Sequence, residues 1–599
     1  MDVLSANATK RDAKQYLARF ATPKKQTSLL QEQRNARHRN DQERLDRIGV
    51  NLGGLYSPAR AIAESPQFTR EVANEKNKES PERTVHVALV CLRNPQGLDD
   101  ATLDGVASTL SQLVKLDMHL ALVLDCGTSH LESNGRGASG GSKLTAEQAE
   151  MVSRALARHS RAGARFVPGA LEIASSGEAS VVVPKLIMEP LRRGIVPIIP
   201  KVAYTPAGKA SDISAPNAMT ALTHLLSGLP GASADSSRRY ANVSTTVDRV
   251  LILDPAGGIP SKARKDGAHV FVNLEQEAKA IDAELSDRHR QIYEDGGDSD
   301  TYQRHRENLQ IAQRCLRLLS SASSALIISP QEAASSSQAS TRHSTGAGTR
   351  RQKNTLIHNL LTNKPLVSSS LPTARIPTTG PGDLADLTTP TATLLKRGMP
   401  VTIIPSIPPE NVSIGWRPSD KSTATLDLET DPRVDLPRLV HLIEDSFRRK
   451  LDVKHYLNRI RNRTAGLIIA GEYEGGAILT WELPAPTTSN PHSSQPVPYL
   501  DKFAVLSSSQ GSSGVADIVF QAMVRTCFPQ GVCWRSRADN PVNKWYFERS
   551  AGTWRLPGGQ WTMFWTGNGV VEGEQRWREY VGVCEGVEPS WADKGKKAD

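Results

Sequence analysis

The sequence predicts an α/β protein of two or more domains. Three observations lead there. A chain of 599 residues is too long for one hydrophobic core. Between residues 84 and 390, short apolar runs alternate with helical patterns, the signature of a parallel-sheet domain. Near Leu394–Pro405 that rhythm gives way to a strand, two helices, a hairpin and a glycine-rich strand-to-helix turn.

The elements follow in order. Residues 1–83 read as helical and highly charged, broken at Pro23, Pro58, Pro66 and Pro81, with a capping-box pattern at Thr9 and Asp12. Residues 1–40 hold nine Lys/Arg but also three Asp/Glu, so they only half match an import presequence and read better as a structured helix. Strands are expected at Val85–Leu92, His119–Asp125, Arg165–Pro168, Gly194–Pro200, Arg249–Leu253, His269–Leu274 and Ala325–Ser329. Helices are expected at Ala107–Leu116, Ala146–Ala157 and Arg304–Leu319. Ser, Gly and Thr dominate Asn134–Lys143, Gly228–Ser244, Ala334–Lys353 and Ala485–Val497, which read as mobile loops.

In the last third, Val401–Ile404 reads as a strand. Leu436, Leu439, Val440, Ile443 and Phe447 line one helix, and Leu451, Tyr456, Leu457 and Ile460 a second. Leu467–Ala470 and Ala477–Trp481 flank Glu474-Gly475-Gly476 as a hairpin. A strand Tyr499–Val505, a helix Gly514–Thr526, a strand Val532–Arg537, a helix after Pro541 and two strands ending near Trp565 complete the series.

Composition excludes several function classes. The apolar runs Val87–Leu92 and Leu120–Leu124 are far too short to cross a bilayer, so no membrane partner is expected. The net charge of +10 is spread along the chain without a dense Lys/Arg block, so no nucleic-acid partner is expected either. Six cysteines without C-x-x-C or zinc-like spacing indicate a reducing compartment and no metal site.

The chemistry concentrates in residues 499–566. Gln510-Gly511-Ser512-Ser513-Gly514-Val515-Ala516 follows a strand and opens a helix. Such a turn offers backbone N–H groups and a favourable dipole to a pyrophosphate, although many Gly/Ser turns serve geometry alone. In Trp534-Arg535-Ser536-Arg537 the two arginines share a strand face. Two guanidiniums side by side suit a dicarboxylate; the alternative is a solvated sheet face. Lys502 adds a third cation, and Asn540 and Asn543 offer amides.

The order of these elements resembles the GNAT acetyltransferase superfamily. The segments Tyr499–Val505, Trp534–Phe547 with its W-R-S-R-x-x-N-P run, and Gln560–Trp565 resemble N-acetylglutamate synthases of the vertebrate and fungal type. The resemblance implies acetyl-CoA as co-substrate. It implies that Phe503, Ala504 and Val505 hold the pantetheine arm, and that Gln510, Gly511, Ser512, Ser513, Gly514 and Ala516 hold the pyrophosphate. Against the family turn Q/R-x-x-G-x-G/A, Gln510 stands one place early, which leaves its own role open. The resemblance also implies that Lys502, Arg535, Arg537 and Asn540 bind L-glutamate, with the amide of Asn543 a further substrate-binding candidate. Tyr546 either protonates the leaving thiolate or is a core aromatic; both readings stand.

Residues 84–390 resemble the amino-acid-kinase-like domain of that family, on Thr245–Pro260 and Leu356–Pro365. A phosphate-binding Lys-Gly-Gly turn is missing after the first strand, where Arg93-Asn94-Pro95-Gln96-Gly97 stands instead. The resemblance therefore implies arginine sensing rather than phosphotransfer, and disfavours an acetylglutamate kinase. A non-catalytic regulatory protein is the other alternative. The expected plan is a helical segment 1–83, a three-layer α/β/α amino-acid-kinase-like domain 84–390, a GNAT domain 391–585 and a flexible tail 586–599. Mitochondrial matrix placement, a homo-oligomer and a complex with acetylglutamate kinase are expectations from the family alone. Residues 5–14 resemble the start of its mature core, so a transit peptide is expected to be absent here or very short.

Overall fold

The computed structural model describes residues 84–592 apart from 128–138, 175–176, 229–244, 262–267, 295–299, 335–353, 366–391, 409–410, 413, 419–425, 485–494, 511–513 and 568. The expected N-terminal helical segment and most of the expected loops after Gly228, Ala334 and Ala485 lie outside the described residues.

The first domain runs β1 (Val85–Arg93), α1 (Asp100–Lys115), β2 (His119–Asp125), α2 (Ser139–His159), β3 (Ala164–Phe166), β4 (Leu171–Ile173), β5 (Ala179–Val181), α3 (Lys185–Arg192), β6 (Val196–Pro200), β7 (Val202–Tyr204), β8 (Ala210–Asp212) and α4 (Ala215–Leu226). It continues with β9 (Thr245–Leu253), β10 (Phe271–Asn273), α5 (Leu274–Glu294), α6 (Asp300–Leu318), β11 (Ser324–Ile328), α7 (Pro330–Ala334), α8 (Thr355–Thr362) and β12 (Thr393–Lys396). Eight strands form one sheet in the order β10-β12-β11-β9-β1-β2-β6-β3, parallel except where β12 meets β11. Helices cover both faces, so the central strands are apolar throughout. In β1, Val87, Leu89 and Cys91 enter the core under α4, α5 and α6, while Ala88, Val90 and Leu92 enter the core under α1, α2 and α8. This is the three-layer α/β/α arrangement expected from the alternating pattern.

The second domain runs β13 (Val401–Ile404), α9 (Leu436–Phe447), α10 (Val453–Ile460), β14 (Thr464–Ala470), β15 (Gly475–Glu482), β16 (Val497–Val505), α11 (Val515–Ala522), β17 (Cys533–Arg537), α12 (Asn543–Arg549), β18 (Gly552–Arg555), β19 (Trp561–Trp565) and α13 (Glu574–Gly586). Its seven-stranded sheet has the order β13-β14-β15-β16-β17-β19-β18. Every neighbouring pair is antiparallel except β16 and β17. Asp435 caps α9 and Asp452 caps α10, each accepting from a backbone N–H three residues on.

Several expectations are corrected. The hairpin turn lies one step earlier than expected: Gly475 and Gly476 belong to β15, and Gly471 and Tyr473 supply the positive φ of the turn. Gly475 is required by packing, because a Cβ there would sit 2.4 Å from Val515 Cγ1 at the start of α11. The expected loop Asn134–Lys143 ends early, since α2 already begins at Ser139. The helix expected at Gly514–Thr526 is α-helical only to Ala522 and closes in a π-helical turn, Met523–Cys527. Strand β12 belongs to the first sheet, so the first domain reaches past residue 390 to Lys396. The tail is anchored as far as it is described: Trp591 packs on Phe447, and Ala592 N–H donates to Lys450 O at 3.0 Å.

Gly475→Val forces a branched side chain against Val515. A loss of about 1–3 kcal/mol is expected, read as a lower denaturation midpoint. Unchanged stability would show that the strand and helix do not press together here.

Candidate active site

The site begins with a failure of pairing. Parallel strands β16 and β17 meet at one register point, Tyr499 opposite Cys533, and pair no further. Beyond it β16 stays bonded to β15 on its other edge, through Phe503 opposite Ala477, Ala504 opposite Gly476 and Val505 opposite Gly475. Strand β17 stays bonded to β19. The facing edges of β16 from Leu500 to Val505 and of β17 from Trp534 to Arg537 are therefore not laddered to each other. Backbone N–H and C=O groups left so call for partners. An extended amide-bearing chain fits that need.

At the C-terminal end of β16 the chain turns into α11. Gln510 Nε2 donates to Val505 O at 3.1 Å, which closes the turn. Gly511, Ser512 and Ser513 lie outside the described residues. Gly514 is the N-cap of α11 with φ of 72°, in the left-handed region that favours glycine, and no side chain caps the helix. The first intrahelical bond is Ile518 N–H to Gly514 O at 3.0 Å, so the N–H groups of Val515, Ala516 and Asp517 precede the ladder. Asp517 would oppose an anion there, but Arg549 Nε and Nη2 hold its Oδ1 at 2.9 and 2.7 Å. The same ion pair ties α12 to α11.

On one face of the gap lie the cations. Lys502 Nζ sits 3.0 Å from Asp501 Oδ2 and 4.8 Å from the centre of the Tyr456 ring. Asp501 is buried and also takes Tyr456 OH at 2.9 Å and the Arg459 guanidinium. Burial would raise the Asp501 carboxyl, but Lys502 and Arg459 outweigh it and hold the pKa down at about 2. Burial, with help from Arg459 and Arg535, pulls the Lys502 ammonium below its usual range against the attraction of Asp501. Arg535 is thus close enough to Lys502 for the two charges to act on each other.

Arg535 and Arg537 both lie over Trp561, with guanidinium carbons 4.4 and 6.0 Å from the ring centre. Arg535 does more than the sequence indicated. Its Nη1 donates to Cys584 O and Glu585 O, and its Nη2 to Val587 O, so it closes the C-terminal end of α13. Asn540 and Asn543 are likewise engaged locally. Asn540 accepts from Val542 N–H at 3.0 Å and donates to Ser536 Oγ, while Asn543 Nδ2 donates to Arg537 O at 2.6 Å. Asn543 Oδ1 is buried without a hydrogen-bond partner among the described residues.

The opposite face is aromatic. Tyr546 packs against Trp534, Trp545 and Phe564, at centroid distances of 5.4, 5.5 and 5.4 Å. Phe503 reaches the same cluster through Trp545 and Phe520. Burial pushes the Tyr546 phenol well above its usual range. Its hydroxyl takes no hydrogen bond among the described residues. The ring packs as a core aromatic.

Residues 421–587 match the family model of the N-acetyltransferase domain of N-acetylglutamate synthase. The mitochondrial amino-acid acetyltransferase of Aspergillus oryzae is 45% identical over 624 aligned positions, covering 99% of this chain and 89% of that one. The corresponding protein of Aspergillus terreus is 42% identical, covering 99% of this chain and 92% of its own. The chain belongs to the mitochondrial amino-acid acetyltransferase family. Among solved structures, an N-acetylglutamate synthase from Neisseria gonorrhoeae complexed with coenzyme A and N-acetyl-glutamate covers 81% of this chain and 95% of that one at 13% identity, with a TM-score of 0.38. That likeness is too distant to bear on any residue of the site.

In this acetyltransferase the end of β1, where the sequence lacks a Lys-Gly-Gly turn, is held by charge pairing. Arg93 at the end of β1 bonds Asp125 at 3.0 Å, Asn308 at 2.8 Å and Glu307 at 2.6 Å, and lies 3.6 Å from Asp254. The guanidinium spends its donors on protein.

The ordinary carboxyl value for Asp501 is 3.8, against about 2 in the fold. A group held low in the folded state stabilises it fully above about pH 4, and the contribution, on the order of 2 kcal/mol, is lost as pH falls toward 2. Unfolding measured from pH 7 down to 3 should show the stability gap between the wild type and Asp501→Asn shrinking below pH 4, by about 1 kcal/mol at pH 3. A gap independent of pH would contradict the pairing.

Proposed function

We propose that the enzyme transfers the acetyl group of acetyl-CoA to the α-amine of L-glutamate, the first step of arginine biosynthesis. The observation that carries this reading is the set of three cations, Lys502, Arg535 and Arg537, on one face beside the open edge of β16. A substrate with two carboxylates answers that charge, and a bidentate guanidinium fixes each carboxylate in direction as well as place. Arg537 carries most of the direct binding, because Arg535 already spends donors on α13 and Lys502 on Asp501. Asn540 and Asn543 shape the turn that sets Arg537 before α12.

The donor lies along the gap. Phe503 and Ala504 border the gap where the pantetheine amides would run, whereas Val505 shapes its end, its N–H donating to Ser446 Oγ at 3.1 Å and its C=O accepting from Gln510 Nε2. Gly511, Ser512, Ser513, Gly514 and Ala516 offer N–H groups to the pyrophosphate, with Gln510 closing the turn behind them. The thioester then reaches the acceptor between the aromatic and cationic faces.

The reaction needs a neutral amine. The same cations that bind the carboxylates disfavour an ammonium beside them, so they lower its pKa. Asp501 is a poor base, since its pKa near 2 leaves it little proton affinity at neutral pH. The amine proton therefore leaves through water. The amine nitrogen bonds to the thioester carbon, the carbon–sulfur bond breaks, and Tyr546 gives its proton to the departing thiolate and is reprotonated from solvent.

The first domain, by its family resemblance, senses arginine as a feedback inhibitor. A homo-oligomer, a complex with acetylglutamate kinase and residence in the mitochondrial matrix belong to the same reading.

Acetyl-CoA consumption with glutamate, aspartate or glutamine, with and without arginine, tests it. Turnover specific for glutamate and reduced by arginine is expected; turnover of no acceptor overturns it. Arg537→Gln is expected to raise KM for glutamate ~30- to 100-fold, the worth of a charged hydrogen-bonded pair, at unchanged acetyl-CoA affinity and thermal midpoint. Arg535→Gln is expected to lower the thermal midpoint as well, because α13 loses its closing contacts.

A further inference from the structure

We propose that Trp591 is a positioning residue of the acceptor site: its ring holds the Lys502 ammonium and shields it from water, so that the segment after α13 sets the affinity for glutamate. The proposal rests on the reading of Lys502, Arg535 and Arg537 as the glutamate-binding cations.

The segment Val587-Glu588-Pro589-Ser590-Trp591-Ala592 has no period of its own, and from sequence it reads as a solvated tail. Backbone bonding pins it instead. Asp452 N–H donates to Ser590 O at 3.1 Å, and Ala592 N–H donates to Lys450 O at 3.0 Å. Trp591 thus stands opposite Leu451 in an antiparallel bridge. Arg459 Nε donates to Ser590 Oγ at 3.3 Å. The Trp591 ring packs on Phe447, with 5.0 Å between ring centres.

The two ends of this stretch meet two of the acceptor cations. At its start, the carbonyls of Cys584, Glu585 and Val587 accept from the Arg535 guanidinium. At its end, Lys502 Nζ lies 5.6 Å from the centre of the Trp591 ring. A second ring, Tyr456, lies 4.8 Å from the same ammonium. Arg459, which bonds Ser590, also bonds Asp501, the carboxylate that pairs with Lys502. The segment is therefore joined to the cationic face at three places.

An ammonium within about 6 Å of an indole ring is attracted to its face, and more strongly where water is kept away. The Lys502 side chain is only 11% exposed. Among the described residues, Nζ donates to Asp501 alone, through Oδ2 at 3.0 Å and the backbone O at 3.4 Å. An ammonium has three donors, so at least one remains for a substrate carboxylate. That bond is stronger from a shielded, oriented ammonium than from one free to move in water. Without the Trp591 ring, water reaches Nζ and the lysine side chain regains rotamers.

The test uses the full chain, with steady-state kinetics in both substrates. Trp591→Leu keeps an apolar side chain on Phe447 and removes the aromatic face. It is expected to raise KM for glutamate ~3- to 30-fold, with KM for acetyl-CoA unchanged. Trp591→Phe keeps a ring and is expected to stay within about twofold of the wild type. In a Lys502→Met background, Trp591→Leu is expected to add nothing to the KM for glutamate. Should Trp591→Leu not fold, Trp591→Met carries the same comparison. Equal rises in Trp591→Leu and Trp591→Phe, or a rise shared by both substrates, make Trp591 a packing residue only and overturn the proposal. An unchanged KM for glutamate in folded Trp591→Leu overturns it too. Each of these results leaves the glutamate reading intact. A wild type that does not acetylate glutamate overturns that reading and the proposal with it.

Discussion

Everything in the catalytic domain depends on β16 and β17 sharing one backbone pair and then parting. A sheet that zipped fully between these strands would leave no room for the proposed donor site. Tyr499 opposite Cys533 joins the two halves of the sheet into one body. Above that point β16 is laddered only to β15 and β17 only to β19. The parting leaves strand edge unladdered without a loop, and the proposed donor site uses that edge. The two faces then receive different chemistry: cations and Trp561 on one, the Trp534–Tyr546–Phe564 cluster on the other.

The cationic face is balanced with care. Asp501 sits among Lys502, Arg459 and Tyr456, so a buried carboxylate is matched before any substrate arrives. Arg535 is held by the carbonyls of α13. Positive charge left over faces the gap. In the proposed function it selects acceptors with carboxylates and favours the neutral amine, so that binding and activation draw on the same residues. Helix α11 joins this field to the first domain through Ile518 and Gln521. Whatever moves β10, β12 or the start of α5 moves the N-terminus of α11 with it.

The strand and turn that carry these motifs were legible in the sequence because their geometry is local. Alternation on a strand places Arg535 and Arg537 on one face whatever surrounds them. A glycine after a strand and before Val515, Ile518 and Val519 marks a helix start for the same reason. The rest depended on partners distant in the chain. Gly475-Gly476 reads as a turn until Val515 is seen pressing on Gly475. The small sheet β5-β4-β7-β8 is built of three-residue strands that carry no period. The tie of Arg535 to α13 needs a helix whose mixed charge hid its inner face, Tyr580, Val583 and Cys584. Glu277 lies 244 residues from Gln521, and nothing nearby in sequence announces their contact.

The most direct test is amide hydrogen exchange of the full chain with and without coenzyme A. The open-edge account predicts added protection in peptides spanning residues 500–505 and 515–518, while residues 467–470, already paired on both sides by β13 and β15, stay unchanged. Coenzyme A binding without added protection at residues 500–505 would contradict it.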